Sequence, residues 1–184
     1  MRIIAGTLRG RRIKPPTWEG LRPTSDKLRE TLFNVLAPRI VGARVLDGFA
    51  GTGALGLEAL SRGAAHVTFL ETDRRAQKLI EENVAACGAE NGCAIIRASF
   101  GRGVATIGAA AAFVPFDVVL LDPPYDQQPD EILADAARVV GHGGLVVMEH
   151  AKRQPAPARS GPLVLIRAIT SGDSMLSLYE PCQP

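Results

Sequence analysis

The amino-acid sequence predicts an α/β protein built around a doubly wound, mainly parallel sheet. Three observations lead there. From Arg44 onward, short apolar runs alternate with stretches of helical periodicity, the order that produces a parallel sheet with helices on both faces. The run Val118-Val119-Leu120-Leu121 is apolar at successive positions, as expected of a strand covered on both sides. The chain is 46% hydrophobic and 22% charged, ordinary for a packed domain. Aromatics are only 5%, so Ala, Gly, Leu and Val must fill the core.

Each element follows in order. Residues 2–14 alternate loosely around Gly6 and Gly10 and predict a small β-hairpin. Pro15, Pro16, Gly20 and Pro23 make an irregular connector. Thr24 or Ser25 can cap a helix that carries Asp26 in its first turn, Leu28, Leu32, Val35 and Leu36 on one face, and Pro38 as its stop. Arg44–Asp47 reads as a strand, followed by a glycine-rich turn and a helix to about Arg62 closed by Gly63. His66–Glu71 is a second strand. Asp73–Cys87 is a helix with Ala76, Leu79, Ile80, Val84 and Cys87 on one face. Cys93–Arg97 is a third strand, 101–111 a helix, Asp117–Leu121 a fourth strand, Pro129–Val140 a helix and Gly144–Glu149 a fifth strand. Gln154–Pro162 is a loop, and Leu163–Ala168 and Met175–Tyr179 are two closing strands.

At 184 residues the chain forms one domain of ordinary size with a small appendage. Cys87, Cys93 and Cys182 form no C-x-x-C pair, and His66, His142 and His150 lack ligand spacing. Neither a disulfide framework nor a metal site is expected, and a reduced, cytoplasmic setting fits. No apolar run reaches the ~18–20 residues of a membrane span, and Met1 to Lys14 has no apolar stretch of the kind a signal peptide needs. Net charge is +2, but residues 1–30 carry eight Lys/Arg against three acids, which leaves −3 on the remainder. That asymmetry is either a solvated basic segment or a patch that faces phosphates.

In a doubly wound sheet the ligand lies at the carboxyl ends of the strands. The residues that can do chemistry cluster there. After the first strand, Gly51, Gly53 and Gly56 match G-x-G-x-x-G in the strand–turn–helix context that gives the motif meaning. Glu71 ends the second strand, where an acid can bind ribose hydroxyls. A dinucleotide would fit this much equally well. Asp47 breaks the tie, since a carboxylate there would repel a pyrophosphate but favour the sulfonium and ammonium of S-adenosylmethionine. A capping or turn role for Asp47 is the plainer alternative. The fourth strand runs into Asp122-Pro123-Pro124-Tyr125. Two prolines impose a stiff extended turn without N–H donors. The acceptors left facing the cleft suit an exocyclic nucleobase amine, with Tyr125 as an aromatic face for the base.

With these residues the chain resembles the RsmD family of bacterial 16S rRNA guanine-N2 methyltransferases. The resemblance is carried by Arg2-Ile3-Ile4-x-Gly6 with Arg9-Gly10-Arg11, Leu21-Arg22-Pro23-Thr24-x-Asp26, Arg29-Glu30-Thr31-Leu32-Phe33-Asn34, the stretch Phe49–Ala64, Asp122-Pro123-Pro124-Tyr125 and Gly172-Asp173. It spans almost the whole chain. The D-P-P-Y element is shared with amino-methyltransferases that act on adenine or glutamine, so it fixes the chemistry better than the substrate.

The resemblance implies a Rossmann-like class I methyltransferase sheet of seven strands, the last antiparallel, with an N-terminal hairpin and helix extension. Residues 1–40 would be the RNA-facing extension and 41–184 the S-adenosylmethionine-dependent domain. Asp47 and the Gly51–Gly53 turn would hold the methionine part of the cofactor and Glu71 the ribose, Ser99 and Phe100 would lie by the adenine, and Phe49 would also belong to the cofactor site. The family often has an acid or amide where Ser99 stands. Asp122, Pro123, Pro124 and Tyr125 would hold the target guanine, and Arg22 and Thr24 would border the cleft. Arg9, Arg11 and Arg12 are expected to contact phosphates. The implied partner is 16S rRNA or the small ribosomal subunit, with no membrane and no metal, and the expected state is a monomer.

Overall fold

The structure is a computed structural model that describes residues 1–18, 25–124 and 127–182. Its elements in chain order are α1 (Asp26–Ile40), β1 (Arg44–Asp47), α2 (Ala54–Ser61), β2 (His66–Glu71), α3 (Arg74–Cys87), β3 (Cys93–Arg97), α4 (Phe100–Gly108), β4 (Phe116–Leu121), α5 (Pro129–Ala136), β5 (Val140–Ala151), β6 (Arg159–Ser160), β7 (Leu163–Ser171) and β8 (Ser174–Pro181). The strands form one sheet in the order β3-β2-β1-β4-β5-β8-β7-β6. The first five are mutually parallel, while β8 runs antiparallel to both β5 and β7.

Period-two alternation splits the core into two layers. Val45, Val118, Leu120 and Val147 point to the side covered by α1, α2 and α3. Leu46, Val119, Leu121 and Val146 point to the side covered by α4 and α5. The Ser25 hydroxyl caps α1 by accepting from the Leu28 N–H at 3.2 Å, and Asp73 caps α3 through the Arg75 N–H at 2.8 Å. Among the described residues no helix is long and apolar enough to cross a membrane.

Three expectations need correction. Among the described residues the sheet has eight strands rather than seven, because two residues, Arg159 and Ser160, pair with Val164 and Leu163 inside the predicted loop. Pro38 does not stop α1, which continues to Ile40. A proline there leaves one carbonyl without its helical donor, and burial of Ile40 beside Leu36 outweighs that loss. The helix expected to reach Val140 ends at Ala136, and Val140 already pairs with Phe116 in β5. Residues 141–144 then bulge outward before Leu145 pairs with Val118, and Gly143 takes a φ of 75° that the turn requires.

The N-terminal segment closes as a narrow loop joined by one antiparallel bridge, Arg2 to Arg12, with the Ile3 and Ile13 N–H groups donating to Arg11 and Met1. Ile3 and Ile13 are fully buried in the same apolar layer as α1–α3. The loop is also pinned by polar contacts to α2. The Ile4 and Ala5 N–H groups donate to the Glu58 carboxylate at 2.8 and 3.0 Å, and the Leu8 N–H donates to the Ser61 hydroxyl at 2.9 Å.

Candidate active site

A cavity of about 1000 Å³ opens at the carboxyl ends of β1, β2, β4 and β5. Its floor is the turn between β1 and α2. Gly51 and Gly53 take φ of 54° and 77°, the left-handed region that side chains avoid. The Gly56 backbone lies against the Phe69 ring with no room for a Cβ. At Gly51 the turn therefore presents bare backbone to the cavity.

Glu71 organises the adjoining edge. One carboxylate oxygen accepts the Gly51 N–H at 2.9 Å, and the other accepts the Thr72 and Asp73 N–H groups at 2.7 and 2.9 Å. The carboxylate thus ties the turn to the end of β2 while lining the cavity. Beyond it, the Phe49 and Phe100 rings stack with centroids 5.3 Å apart at 28°. Ser99 is the N-cap of α4 without a side-chain capping bond, and it also lines the cavity.

Asp122, Pro123 and Pro124 form the opposite wall, where β4 ends. Next to Asp122 stands Glu149 of β5, because Leu121 and Met148 are in register between β4 and β5, and both acids line the cavity. Burial, and then the Asp122 charge, push the Glu149 carboxyl up to about 7. Six acids line the cavity, namely Glu71, Asp122, Glu131, Asp135, Glu149 and Asp173, and no Lys, Arg or His is among the described lining residues.

Phe49, Gly51, Glu71, Ser99, Phe100, Asp122, Pro123 and Pro124 are therefore brought together around one cavity. Asp47 and Gly53 are not on its lining. The Asp47 side chain turns inward and accepts the Gly56 N–H at 2.9 Å. It is 1% exposed, and burial above all, with Asp122 and Glu71 nearby, raises its carboxyl to about 7. Tyr125, Arg22 and Thr24 lie outside the described residues. Arg9, Arg11 and Arg12 sit on the N-terminal loop, away from the lining, with the Arg11 guanidinium donating to the Ala86 carbonyl at 3.3 Å.

Glu149, Glu131, Asp135 and the turn from Ser171 to Ser174 were not singled out as site residues from sequence. For Glu149 a signal existed: it ends an apolar strand, as Glu71 and Asp122 do or nearly do. The Gly172-Asp173 pair was visible as a motif, but only the antiparallel return of β8 carries it to the cavity rim.

A family model described as "Conserved hypothetical protein 95" matches residues 1–180. The Bacillus subtilis protein YlbH is 34% identical over 183 residues, covering 98% of both chains. The Escherichia coli protein named Ribosomal RNA small subunit methyltransferase D is 46% identical over 125 residues, covering 68% of this chain and 60% of its own length. The solved structure of Escherichia coli yhhF is 36% identical with a TM-score of 0.85, covering 100% of this chain and 99% of that one. A methyltransferase structure complexed with SAH (S-adenosylhomocysteine) shares the fold alone, at 12% identity and a TM-score of 0.64, covering 82% of this chain and 49% of that one.

Proposed function

Since the chain belongs to the RsmD family of methyltransferases, we propose that it transfers a methyl group from S-adenosylmethionine to the exocyclic N2 of a guanine in 16S rRNA. The observation that carries the reading is the acidity of the cavity: six acidic side chains and no described basic residue on its lining. Such a wall favours a ligand bearing a sulfonium and an ammonium, and it disfavours a pyrophosphate.

The donor set fits that cofactor. The backbone of the Gly51 turn allows close approach of the methionine part, Glu71 offers acceptors to the ribose hydroxyls, and the stacked Phe49 and Phe100 offer an apolar face to the adenine beside the Ser99 hydroxyl. Asp47 and Gly53 support this surface from behind: Asp47 fixes the turn through Gly56, and Gly53 caps α2 in a left-handed conformation. When bound, the cofactor supplies an electrophilic methyl group on sulfur.

The guanine amine is a weak nucleophile because its lone pair is delocalised into the ring. Asp122 and the Pro123 carbonyl accept its two N–H groups, which holds the amine and turns its lone pair toward the methyl. Tyr125 stacks on the base, a contact worth about 1–3 kcal/mol. Displacement is in line, so positioning and electrostatics carry most of the rate. An acidic cavity also repels phosphates, so a single base, splayed out of its stack, is the part of the RNA that enters. Phosphates belong on the basic N-terminal loop with Arg9, Arg11 and Arg12.

The test is incubation with isotope-labelled S-adenosylmethionine and free 16S rRNA, assembled small subunits, adenine-bearing DNA or protein glutamine, followed by nucleoside analysis. N2-methylguanosine in 16S rRNA is the expected product. Label found on adenine or glutamine instead would overturn the substrate assignment.

A further inference from the structure

We propose that Asp135 is a specificity-determining residue for the cofactor, accepting the exocyclic amine of its adenine beside Ser99. The inference rests on the methyl-transfer reading above and deepens it.

Packing brings Asp135 to the adenine end of the cavity. Ile132, Leu133 and Ala136 of α5 are buried in the same apolar layer as Phe100 and Val104 of α4. Asp135, on the same short helix, lines the cavity together with Ser99, Phe100 and Gly101. A Cβ on Gly101 would lie 2.6 Å from Asp135 Oδ2, so that oxygen occupies the space a side chain at position 101 would take. Gly101 directly follows Phe100, whose ring stacks on Phe49. The other Asp135 oxygen, Oδ1, stands 3.6 Å from Arg138 Nη1. Arg138 therefore holds one side of the carboxylate while Oδ2 is turned toward α4. The Asp135 side chain is 32% exposed, so a ligand in the cavity can reach it.

The chemistry of the purine calls for this group. An adenine amine presents two N–H donors. The Ser99 hydroxyl, which makes no capping bond to α4, can accept one of them. The second needs another acceptor, and an ionised carboxylate is acceptor only. A purine with an oxygen in place of the amine would set its lone pairs against those of Asp135, and a site built to bind a donor rejects such an analogue. Glu131, one turn earlier on α5, also lines the cavity, but the side chain that meets α4 at Gly101 is that of Asp135. Glycine at position 101 is what leaves the carboxylate its place.

The experiment measures, by calorimetry, the affinities of S-adenosylhomocysteine and of its inosine analogue, in which an oxygen replaces the adenine amine. Wild type, Asp135→Asn, Asp135→Ala and Gly101→Ala are compared. Wild type should favour S-adenosylhomocysteine by about tenfold or more, the worth of a hydrogen bond to a charged group. Asp135→Asn can offer an N–H to the oxygen of the analogue and should erase most of that preference. Asp135→Ala should weaken S-adenosylhomocysteine about tenfold and leave the analogue within about threefold. Gly101→Ala puts a methyl group where the carboxylate stands. It should lower the preference in the same direction while the melting temperature holds or rises, because alanine suits a helix better than glycine. An unchanged preference in Asp135→Asn, or equal losses of both ligands in Asp135→Ala, would overturn the proposal, and full preference kept by Gly101→Ala would count the same way. Failure of wild type to bind S-adenosylhomocysteine would instead overturn the cofactor reading on which the proposal rests.

Discussion

The Glu58 carboxylate and the Arg29 guanidinium lie 3.9 Å apart, with neither side chain exposed. Glu58 also accepts the Arg62 Nε–H at 2.7 Å and the backbone N–H groups of Ile4 and Ala5. Arg29 reaches the Arg2 carbonyl at 2.8 Å and Asp26 at 2.6 Å. One buried ionic cluster therefore joins the N-terminal loop, α1 and α2, the helix that begins at the glycine turn.

Glu58→Ala should be strongly destabilising, because it leaves Arg29 charged, buried and short of an acceptor. Removal of one partner from a buried pair costs about 3–5 kcal/mol. Glu58→Gln keeps part of the hydrogen bonding and should cost less. Chemical denaturation of the two variants measures the difference, and equal, small losses would show that the cluster contributes little.

Two glycines in the N-terminal loop should respond differently to alanine. Both have positive φ, 83° at Gly6 and 82° at Gly10. A Cβ on Gly6 would overlap the Ser61 carbonyl, whereas none of the neighbouring groups lies within 4 Å of one on Gly10. Gly10→Ala should cost only the backbone term, about 1–2 kcal/mol. Gly6→Ala should detach the loop from α2. Limited proteolysis should cut the Gly6 variant near its N-terminus, with S-adenosylhomocysteine binding retained.

Asp47 makes stability depend on pH. Its carboxyl is raised from 3.8 to about 7, so between those values the folded state binds the proton more tightly than the unfolded chain. Stability contributed by the neutral form is present at low pH and is lost as pH rises through about 7. Asp47→Asn removes this titration while its side-chain oxygen can still accept the Gly56 N–H. The stability of Asp47→Asn relative to wild type should therefore grow between pH 4 and 7 and then level off, by an amount on the order of 4 kcal/mol at most. Denaturant titrations across that range test the trend, and a gap independent of pH would contradict it.

Asp122→Ala should abolish methyl transfer while leaving cofactor affinity within about tenfold, roughly 1.4 kcal/mol. Tyr125→Ala should weaken the reaction with RNA more than it weakens cofactor binding. Single-turnover assays with calorimetry on the same preparations separate the two effects. Near-normal turnover of Asp122→Ala would remove it from the amine site.

Alanine at Arg9, Arg11 and Arg12 together should weaken RNA binding and flatten its salt dependence, since each lost phosphate contact removes a slope of about 0.7–0.9. Cofactor binding should persist because none of the three lines the cavity. RNA affinities at several salt concentrations provide the check, and an unchanged slope would leave the loop as a solvated basic segment.

The strands were legible because their signal is local. Val118 to Leu121 are apolar at every position, and burial on both faces demands that pattern whatever the neighbours are. The glycine turn and the acids at strand ends were legible for the same reason. What was hidden depends on distant partners. Arg159 and Ser160 form a strand only because Val164 and Leu163 lie opposite, and Pro38 is tolerated only because Ile40 finds the core. The inward turn of Asp47 is decided by the Gly56 N–H. Glu149 gains its significance from Asp122, a residue 27 positions earlier that only the β4–β5 register brings alongside.

The seat of β8 between β5 and β7 imposes an order on biosynthesis. Val146 to Ala151 pair with residues 174–179, which the ribosome makes after β7, so β7 cannot join the main sheet when it emerges and has only the two residues of β6 to pair with. Until then the edge of β5 presents unpaired N–H and C=O groups, the surface through which nascent chains stick to one another. Hairpin formation by β7 and β8, followed by insertion as a unit, closes that window. Substitutions that slow this hairpin should therefore lower the soluble yield of newly made protein more than they lower the stability of protein already folded.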